Sequence, residues 1–173
     1  MVKLLSQNQL LLSKLMEYYK YDRNIENILP IINGSSNVSL RIIDWFVTNY
    51  SKNKHIFYEI IDDNNKLKRF NVYQDYKLRL KSYSKKRFDP FCRWDRIQIP
   101  YKDNHIETTI GQLNFFKWAV ENKVLDYLVS HYEEIERDMV TNYKIKSSKR
   151  ELKMKAKKYE TEDEIKIIVE FNK

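Results

Sequence analysis

VSLRIIDWFVTNY, residues 38–50, is the stretch that decides the fold. Only Arg41 and Asp44 are charged, and the apolar side chains lie on most sides of a helix. A helix that is apolar on most faces is normally buried, so we predict a central core helix here. Its rings are predicted to pack in the core: Trp45, Phe46 and Tyr50. The candidates for its N-cap are Ser36, Asn37 and Ser39.

A helix and a connection precede this segment, and helices and strands follow it. Apolar spacing predicts helices over 4–20, 73–84, 109–122 and 124–142. Thr109 and Gln112 match a capping box, which marks the start of the third of these helices. Residues 21–37 are predicted to be a connection. Strands are predicted over 55–61, through residue 72, over 94–101 with 105–108 as a hairpin, and over 164–171. Between residues 70 and 80 the spacing fits a strand as well as a helix.

These elements predict an α+β fold in a single domain, with a helical core and a small antiparallel sheet. The chain has 173 residues, 42% hydrophobic, which is enough to bury a sizeable core. We predict a globular domain over 1–143, a basic linker over 144–158 and a C-terminal strand over 159–173 that returns to the domain. The partner for that strand is predicted to be the segment 55–61.

The composition argues against most kinds of catalytic and cofactor site. Two glycines cannot build a P-loop or a dinucleotide-binding loop, and the single Cys92 excludes an internal disulfide and a cysteine-based zinc site. The three histidines are isolated in sequence. A nuclease site from Glu59, Asp62 and Lys66, and a nucleophilic Cys92, are weaker readings than an acidic turn and a packed thiol. We predict no catalytic residue, no metal site, no cofactor and, since no apolar run approaches about 18 residues, no membrane span.

The net charge of the chain, +8, is concentrated in residues 66–96. That stretch holds eleven Lys and Arg against three Asp, and it interleaves them with aromatic rings. Lys and Arg neutralise phosphates, and aromatic faces accept stacked bases. We predict that this stretch binds nucleic acid through Lys77, Lys81, Lys85, Lys86, Arg87, Phe91, Arg93, Trp94 and Arg96. The alternative reading is that Phe88, Phe91 and Trp94 anchor a loop to the core while the charges are solvated.

A second basic block occupies residues 144–158, with eight Lys and Arg against one Glu. Its few apolar residues cannot form a core, which is typical of a linker, a frayed helix or a tail that orders on a partner. Two separate basic segments favour an anionic partner over solubility alone.

Three phrases of the sequence carry a resemblance: SLRIIDWFVTNYSKN (39–53), YSKKRFDPFCRWDRI (83–97) and TTIGQLNFFKWAVENKVLDY (108–127). Together they resemble an uncharacterised protein family of the nucleocytoplasmic large DNA viruses, the giant viruses related to mimivirus. The resemblance covers residues 38–140 and implies a setting in the host cytoplasm, at the virus factory, or in the virion. It carries no catalytic residue over to this chain.

The sequence therefore favours a non-enzymatic protein of a large DNA virus that binds DNA or RNA, in genome packaging or late transcription. The alternative is a structural or interaction protein, either a minor virion component or a subunit of a larger viral assembly. In that case the basic segment 144–158 would bind an acidic viral protein, and the protein surface would carry a large apolar patch. A third reading is an enzyme whose site is assembled from residues distant in sequence.

Overall fold

The computed structural model describes residues 6–61, 65–91 and 95–145. The chain divides into two units, Met1–Ile135 and Glu136–Lys173. In the second unit the described residues, 136–145, are helical. The predicted C-terminal strand and all but the first two residues of the predicted linker lie outside the described residues. The predicted domain boundaries therefore stay predictions.

The first unit is α+β, as predicted, and most of its elements are helical. Its order along the chain is α1 Gln7–Tyr19, α2 Asp22–Glu26, α3 Leu29–Ile32, α4 Leu40–Trp45, a π-helical segment Phe46–Tyr50, α5 Ser51–Asn53, β1 Phe57–Ile61, β2 Leu67–Asn71, α6 Val72–Tyr83, β3 Arg96–Tyr101, β4 Asn104–Thr109, α7 Ile110–Glu121 and α8 Val124–Ser130. Residues 132–135 are helical as well. Among the described residues no helix is both long and apolar enough to cross a membrane.

The segment 38–50 is buried and helical, as its pattern predicts. Ser39 is the N-cap of α4, with its hydroxyl accepting a hydrogen bond from the Ile42 N–H. The side chains of Ile43, Phe46 and Val47 are fully buried. The helix widens into its π-helical segment after Trp45, and the Ser51 hydroxyl donates to the Val47 carbonyl at 3.0 Å within that stretch.

Helix α7 lies in the core, with seven of its 12 residues buried. Thr109 caps it by accepting from the Gln112 N–H at 3.1 Å. The second half of the predicted capping box is absent, because the Gln112 side chain is used elsewhere. It accepts from the Thr108 hydroxyl at 2.8 Å and donates to the Pro90 carbonyl at 3.3 Å. Gln112 thereby ties the helix start to the segment before β3.

The strands form two separate antiparallel hairpins. β1 pairs with β2, with Phe57 opposite Asn71, and β3 pairs with β4, with Arg96 opposite Thr109. The strand positions predicted within the described residues are confirmed, and these strands form two two-stranded sheets where one small sheet was predicted. Within the described part of the chain β1 is paired only with β2.

Two predicted boundaries were wrong. The predicted connection over 21–37 contains α2 and α3, whose Ile25 and Ile31 are buried in the core. Short helical turns form there because apolar contacts stabilise a segment that is too short to be helical alone. The predicted helix over 124–142 is interrupted at His131, whose N–H bonds the carbonyls of Tyr127 and Leu128.

Candidate functional site

The predicted nucleic-acid-binding residues lie on α6, on the turn that follows it, and at the start of β3. Lys77 and Lys81 are exposed on α6. Arg93 and Trp94 lie outside the described residues. Lys85 lies beyond α6, which ends at Tyr83. The structure therefore places Lys85, Lys86 and Arg87 together in the turn 84–91, which we call the basic turn.

The basic turn is anchored to the core by Phe88, which is fully buried. The Phe88 ring lies 5.5 Å from Trp118 and 5.7 Å from Phe115, between ring centroids. Phe91, in contrast, is 45% exposed. The alternative reading, in which rings of this segment anchor a loop, is thus confirmed for Phe88. An anchored turn presents its cations in a defined arrangement, which a free loop does not.

Ser84 has an unusual backbone conformation at the start of the basic turn. Its φ of 66° and ψ of 164° lie in a region that is almost exclusive to glycine. Its N–H bonds the Leu80 carbonyl at 3.0 Å, and its carbonyl accepts from the Arg87 N–H at 3.2 Å. The strain is therefore held in place by the helix end and by the turn itself.

Replacing Ser84 with glycine is expected to raise the free energy of unfolding by about 1 kcal/mol, because glycine adopts this conformation without strain. Urea denaturation of the variant and wild type measures the difference. Ser82→Gly is the matched control: Ser82 lies inside α6, where glycine costs up to about 1 kcal/mol. A destabilised Ser84→Gly would show that the turn is unstrained.

The Arg87 guanidinium is held in place by two side chains of α1. Its Nε–H donates to Asn8 Oδ1 at 2.7 Å, and its Nη1–H donates to Gln7 Oε1 at 2.9 Å. The Arg87 carbonyl accepts from Asn114 Nδ2 at 2.8 Å. Both acceptors of the guanidinium are neutral amides, so these bonds orient the cation without neutralising its charge. Sequence reasoning missed Gln7 and Asn8, which lie far from the basic stretch and carry no charge.

A cleft of about 230 Å³ opens beside Arg87. It is lined by polar and charged residues of the turn, Ser84, Lys86 and Arg87, together with Asn8 and the residues Asp95, Ile97 and Ile110. Two cations against one carboxylate leave the lining positive. An anionic group of small size, such as a phosphate, is the ligand that this chemistry favours.

Two other arginines of the basic stretch are paired with carboxylates. Arg96 Nη1 lies 2.6 Å from Glu107 Oε1 across the β3–β4 hairpin, and Arg79 Nε lies 3.5 Å from Asp75 Oδ1 on α6. The Arg96–Glu107 pair is exposed, and exposed pairs contribute about 0–1 kcal/mol. Their charges are compensated in the free protein, which sets them apart from Arg87.

Tyr73 on α6 lies between two lysine ammonium groups. Lys77 Nζ is 5.7 Å and Lys52 Nζ is 5.8 Å from the centre of the Tyr73 ring. Lys52 belongs to α5, so the structure extends the basic surface beyond residues 66–96. The negative face of the ring attracts both cations. The sequence offers no signal for Lys52, because only the packing of α5 against α6 brings it to Tyr73.

Carboxylates lie close to Lys85. Burial raises the pKa of the Asp44 carboxyl above its usual range, the charge of Asp89 raises it further, and Lys85 lowers it in part. Burial, followed by the charges of Asp44 and Asp89, also raises the pKa of the Tyr76 hydroxyl. The first lysine of the basic turn, Lys85, therefore interacts electrostatically with the Asp44 carboxyl. Among the described residues no cluster of three His, Cys, Asp or Glu side chains could hold a metal ion.

Replacing Asp44 with asparagine is expected to change how stability depends on pH. A raised folded-state pKa means that the folded protein binds more protons than the unfolded chain, so wild-type stability falls as pH rises through that pKa. Asparagine carries no charge and removes this loss. The gain in unfolding free energy of Asp44→Asn over wild type should therefore grow from acidic to neutral pH in urea titrations. A gain that is constant with pH would show that Asp44 is unperturbed.

Comparison with known proteins gives the affiliation of the chain. Residues 1–170 match the model of the family of unknown function DUF7197. The chain belongs to this family. It is also 40% identical, over 148 residues, to the uncharacterized protein L507 of Acanthamoeba polyphaga mimivirus. The resemblance to an uncharacterised giant-virus family is thus confirmed, and it supports a viral origin.

The match to the mimivirus relative covers 82% of the chain and 57% of the relative, so the chain spans little more than half of that protein. No solved structure shows a significant match. The DUF7197 match includes α1, the basic turn and α7, the described elements that hold Arg87.

Proposed function

We propose that the chain is a non-enzymatic nucleic-acid-binding protein of a large DNA virus, acting in genome packaging or late transcription. The observation that carries the proposal is Arg87, a cation oriented by two neutral amides beside a positively lined cleft. An arginine held in this way is ready for a phosphate and loses little side-chain entropy on binding. The neighbouring Lys85 and Lys86 add charge to the same turn.

The surrounding surface supports a polyanion over a small anion. Lys77 and Lys81 extend the positive charge along α6, and Lys52 extends it onto α5. A charged track longer than one phosphate is typical of proteins that follow a nucleic-acid backbone. Exposed Phe91 lies at the end of the basic turn and offers a ring to an unstacked base.

The test is fluorescence anisotropy with labelled DNA and RNA over a series of salt concentrations, on wild type and Arg87→Ala. Each neutralised phosphate contributes about −0.9 to the log–log salt slope on duplex DNA. Arg87→Ala is expected to reduce the slope by about 0.9 and the affinity about eightfold at about 0.1 M salt.

Two matched variants sharpen this test. Arg23→Ala removes the same charge from a different groove, between α3 and α8, and is expected to leave the slope unchanged. Arg87→Lys keeps the charge and loses the planar fork that Gln7 and Asn8 orient, so it should recover the slope but only part of the affinity. Equal effects of Arg87→Ala and Arg23→Ala would show that only net charge matters.

A second candidate function is a structural or interaction protein in a larger viral assembly. One face of the β1–β2 hairpin favours it, because three apolar residues are exposed there: Phe57 at 52%, Ile61 at 67% and Leu67 at 72%. Exposed apolar patches often mark protein interfaces. In the same titrations this function predicts weak binding that does not grow with strand length.

A further inference from the structure

A second cleft lies between α1, α6 and α7, and Phe88 of the basic turn also lines it. Its volume is about 160 Å³. The inner wall is apolar and is formed by Leu11, Leu15, Phe88 and Trp118. A cavity of about 150 Å³ with apolar walls is known to hold one benzene ring. The cleft therefore has room for one six-membered ring.

The walls of this cleft are fixed by hydrogen bonds and ring contacts. Trp118 Nε1 donates to Asp75 Oδ1 at 2.6 Å, and the Tyr83 ring stacks on Phe88 with centroids 6.0 Å apart. Asn114 lines the cleft, and its Nδ2 is committed to the Arg87 carbonyl. That bond leaves the Asn114 carbonyl oxygen as an acceptor for a ligand N–H.

Cations surround the opening of the cleft. Lys14, Arg79 and Lys117 line it together with Glu121, and Glu121 pairs with Lys117. Asp75 pairs with Arg79. Three cations against two carboxylates leave one positive charge in excess at the rim. An apolar slot with a positive rim suits a ligand that has a flat ring on a phosphate-bearing chain.

Helix α1 connects this cleft with the one beside Arg87. Asn8 lines the cleft beside Arg87, and Lys14 lines the present one. A rise of about 1.5 Å per residue places these two positions about 9 Å apart along the helix. Successive nucleotides of one strand are about 3.4 Å apart in a stacked helix, so two to three nucleotides span this distance.

We propose that the cleft between α1, α6 and α7 takes one unpaired pyrimidine base of a single-stranded nucleic acid. The inference rests on the proposed function and names its substrate. The base inserts between Leu11 and Trp118, and its flanking phosphates contact Lys14 and Arg79 while a neighbouring phosphate contacts Arg87. A base inside a duplex is stacked on both faces and paired along one edge, so it cannot enter the cleft without being flipped out.

The experiment compares single strands of one length by fluorescence anisotropy: oligo(dT), oligo(dA) and an abasic strand that keeps the phosphates. Wild type is expected to bind oligo(dT) about tenfold more tightly than the abasic strand, the usual size of one stacked base. It should also prefer oligo(dT) over oligo(dA), because the volume of the cleft matches a single six-membered ring better than a fused two-ring base. These comparisons need no altered protein.

Two leucine variants of α1 then locate the site. Leu11→Trp fills the cleft and should abolish the preference for oligo(dT) over the abasic strand, with the salt slope retained. Leu10→Trp, on the exposed side of α1, is the matched control and should keep the preference. Equal binding of all three strands by wild type, or a preference that survives in Leu11→Trp, overturns the inference and leaves the proposed function standing. Binding of no nucleic acid at all overturns the proposed function itself.

Discussion

Replacing Phe88 with alanine should lower the free energy of unfolding by about 3–5 kcal/mol, the usual cost of removing a fully buried phenyl ring. Phe88 has no exposed surface, and its ring contacts those of Tyr76, Phe115 and Trp118. Alanine leaves a cavity where these aromatic rings converge. The basic turn also loses its anchor to the core, so Arg87 is no longer held against α1.

Urea and thermal denaturation measure this effect. For a chain of this size about 2–4 °C of melting temperature is lost per kcal/mol, so a drop of roughly 6–20 °C is expected. Phe91→Ala is the matched control three residues along, where a half-exposed ring should cost less than about 1 kcal/mol. Similar losses in the two variants would mean that Phe88 does not anchor the turn.

Replacing Lys85, Lys86 and Arg87 together with alanine should weaken nucleic-acid binding about 500-fold at about 0.1 M salt. Each phosphate contact releases about 0.9 counterion when it forms. Losing one contact therefore lowers the affinity about eightfold at this salt concentration. Three contacts multiply to about 500-fold and reduce the salt slope by about 2.7. The folded state should persist, because Lys85 and Lys86 are exposed, Arg87 is half-exposed, and Phe88 still anchors the turn to the core.

Anisotropy at several salt concentrations gives both quantities. The matched control is the triple variant Lys20→Ala, Arg23→Ala, Lys102→Asn, which removes three charges from the end of α1, from α2 and from the β3–β4 turn. Asparagine is used at Lys102 because its φ of 51° is left-handed. A control that loses as much affinity and slope as the basic-turn variant would mean that binding follows net charge and has no defined face.

The helices and strands of the described chain were largely readable from the sequence, since periodicity and caps act over one or two turns of chain. The predicted strand through residue 72 and the helix after it are confirmed with the boundary one residue earlier, although residues 70–80 fit both periods. The errors lie where tertiary contacts prevail. Apolar packing makes α2 and α3 helical. The Gln112 side chain does not complete the capping box, because it donates to the Pro90 carbonyl.

The candidate site was only partly readable. The sequence identified the basic stretch, but it treated its cations as equivalent. The structure separates Arg87, oriented by neutral amides, from Arg79 and Arg96, which are paired with carboxylates. It also extends the surface to Lys52. A count of charges cannot show these differences, because pairing depends on which side chains packing brings within hydrogen-bond distance.

The sequence by itself determined the α+β class, the buried helix around residues 40–50, the positions of the described strands, the β3–β4 hairpin and the concentration of positive charge in one stretch. These features follow from the order of apolar, polar and charged residues among near neighbours. Only the tertiary structure decided that Arg87 is held by side chains 79 and 80 residues away in the chain. It likewise decided that α1, α6 and α7 enclose a slot the size of one ring. The physical reason is that such sites depend on how the core aligns distant segments, and the same local patterns are compatible with many alignments.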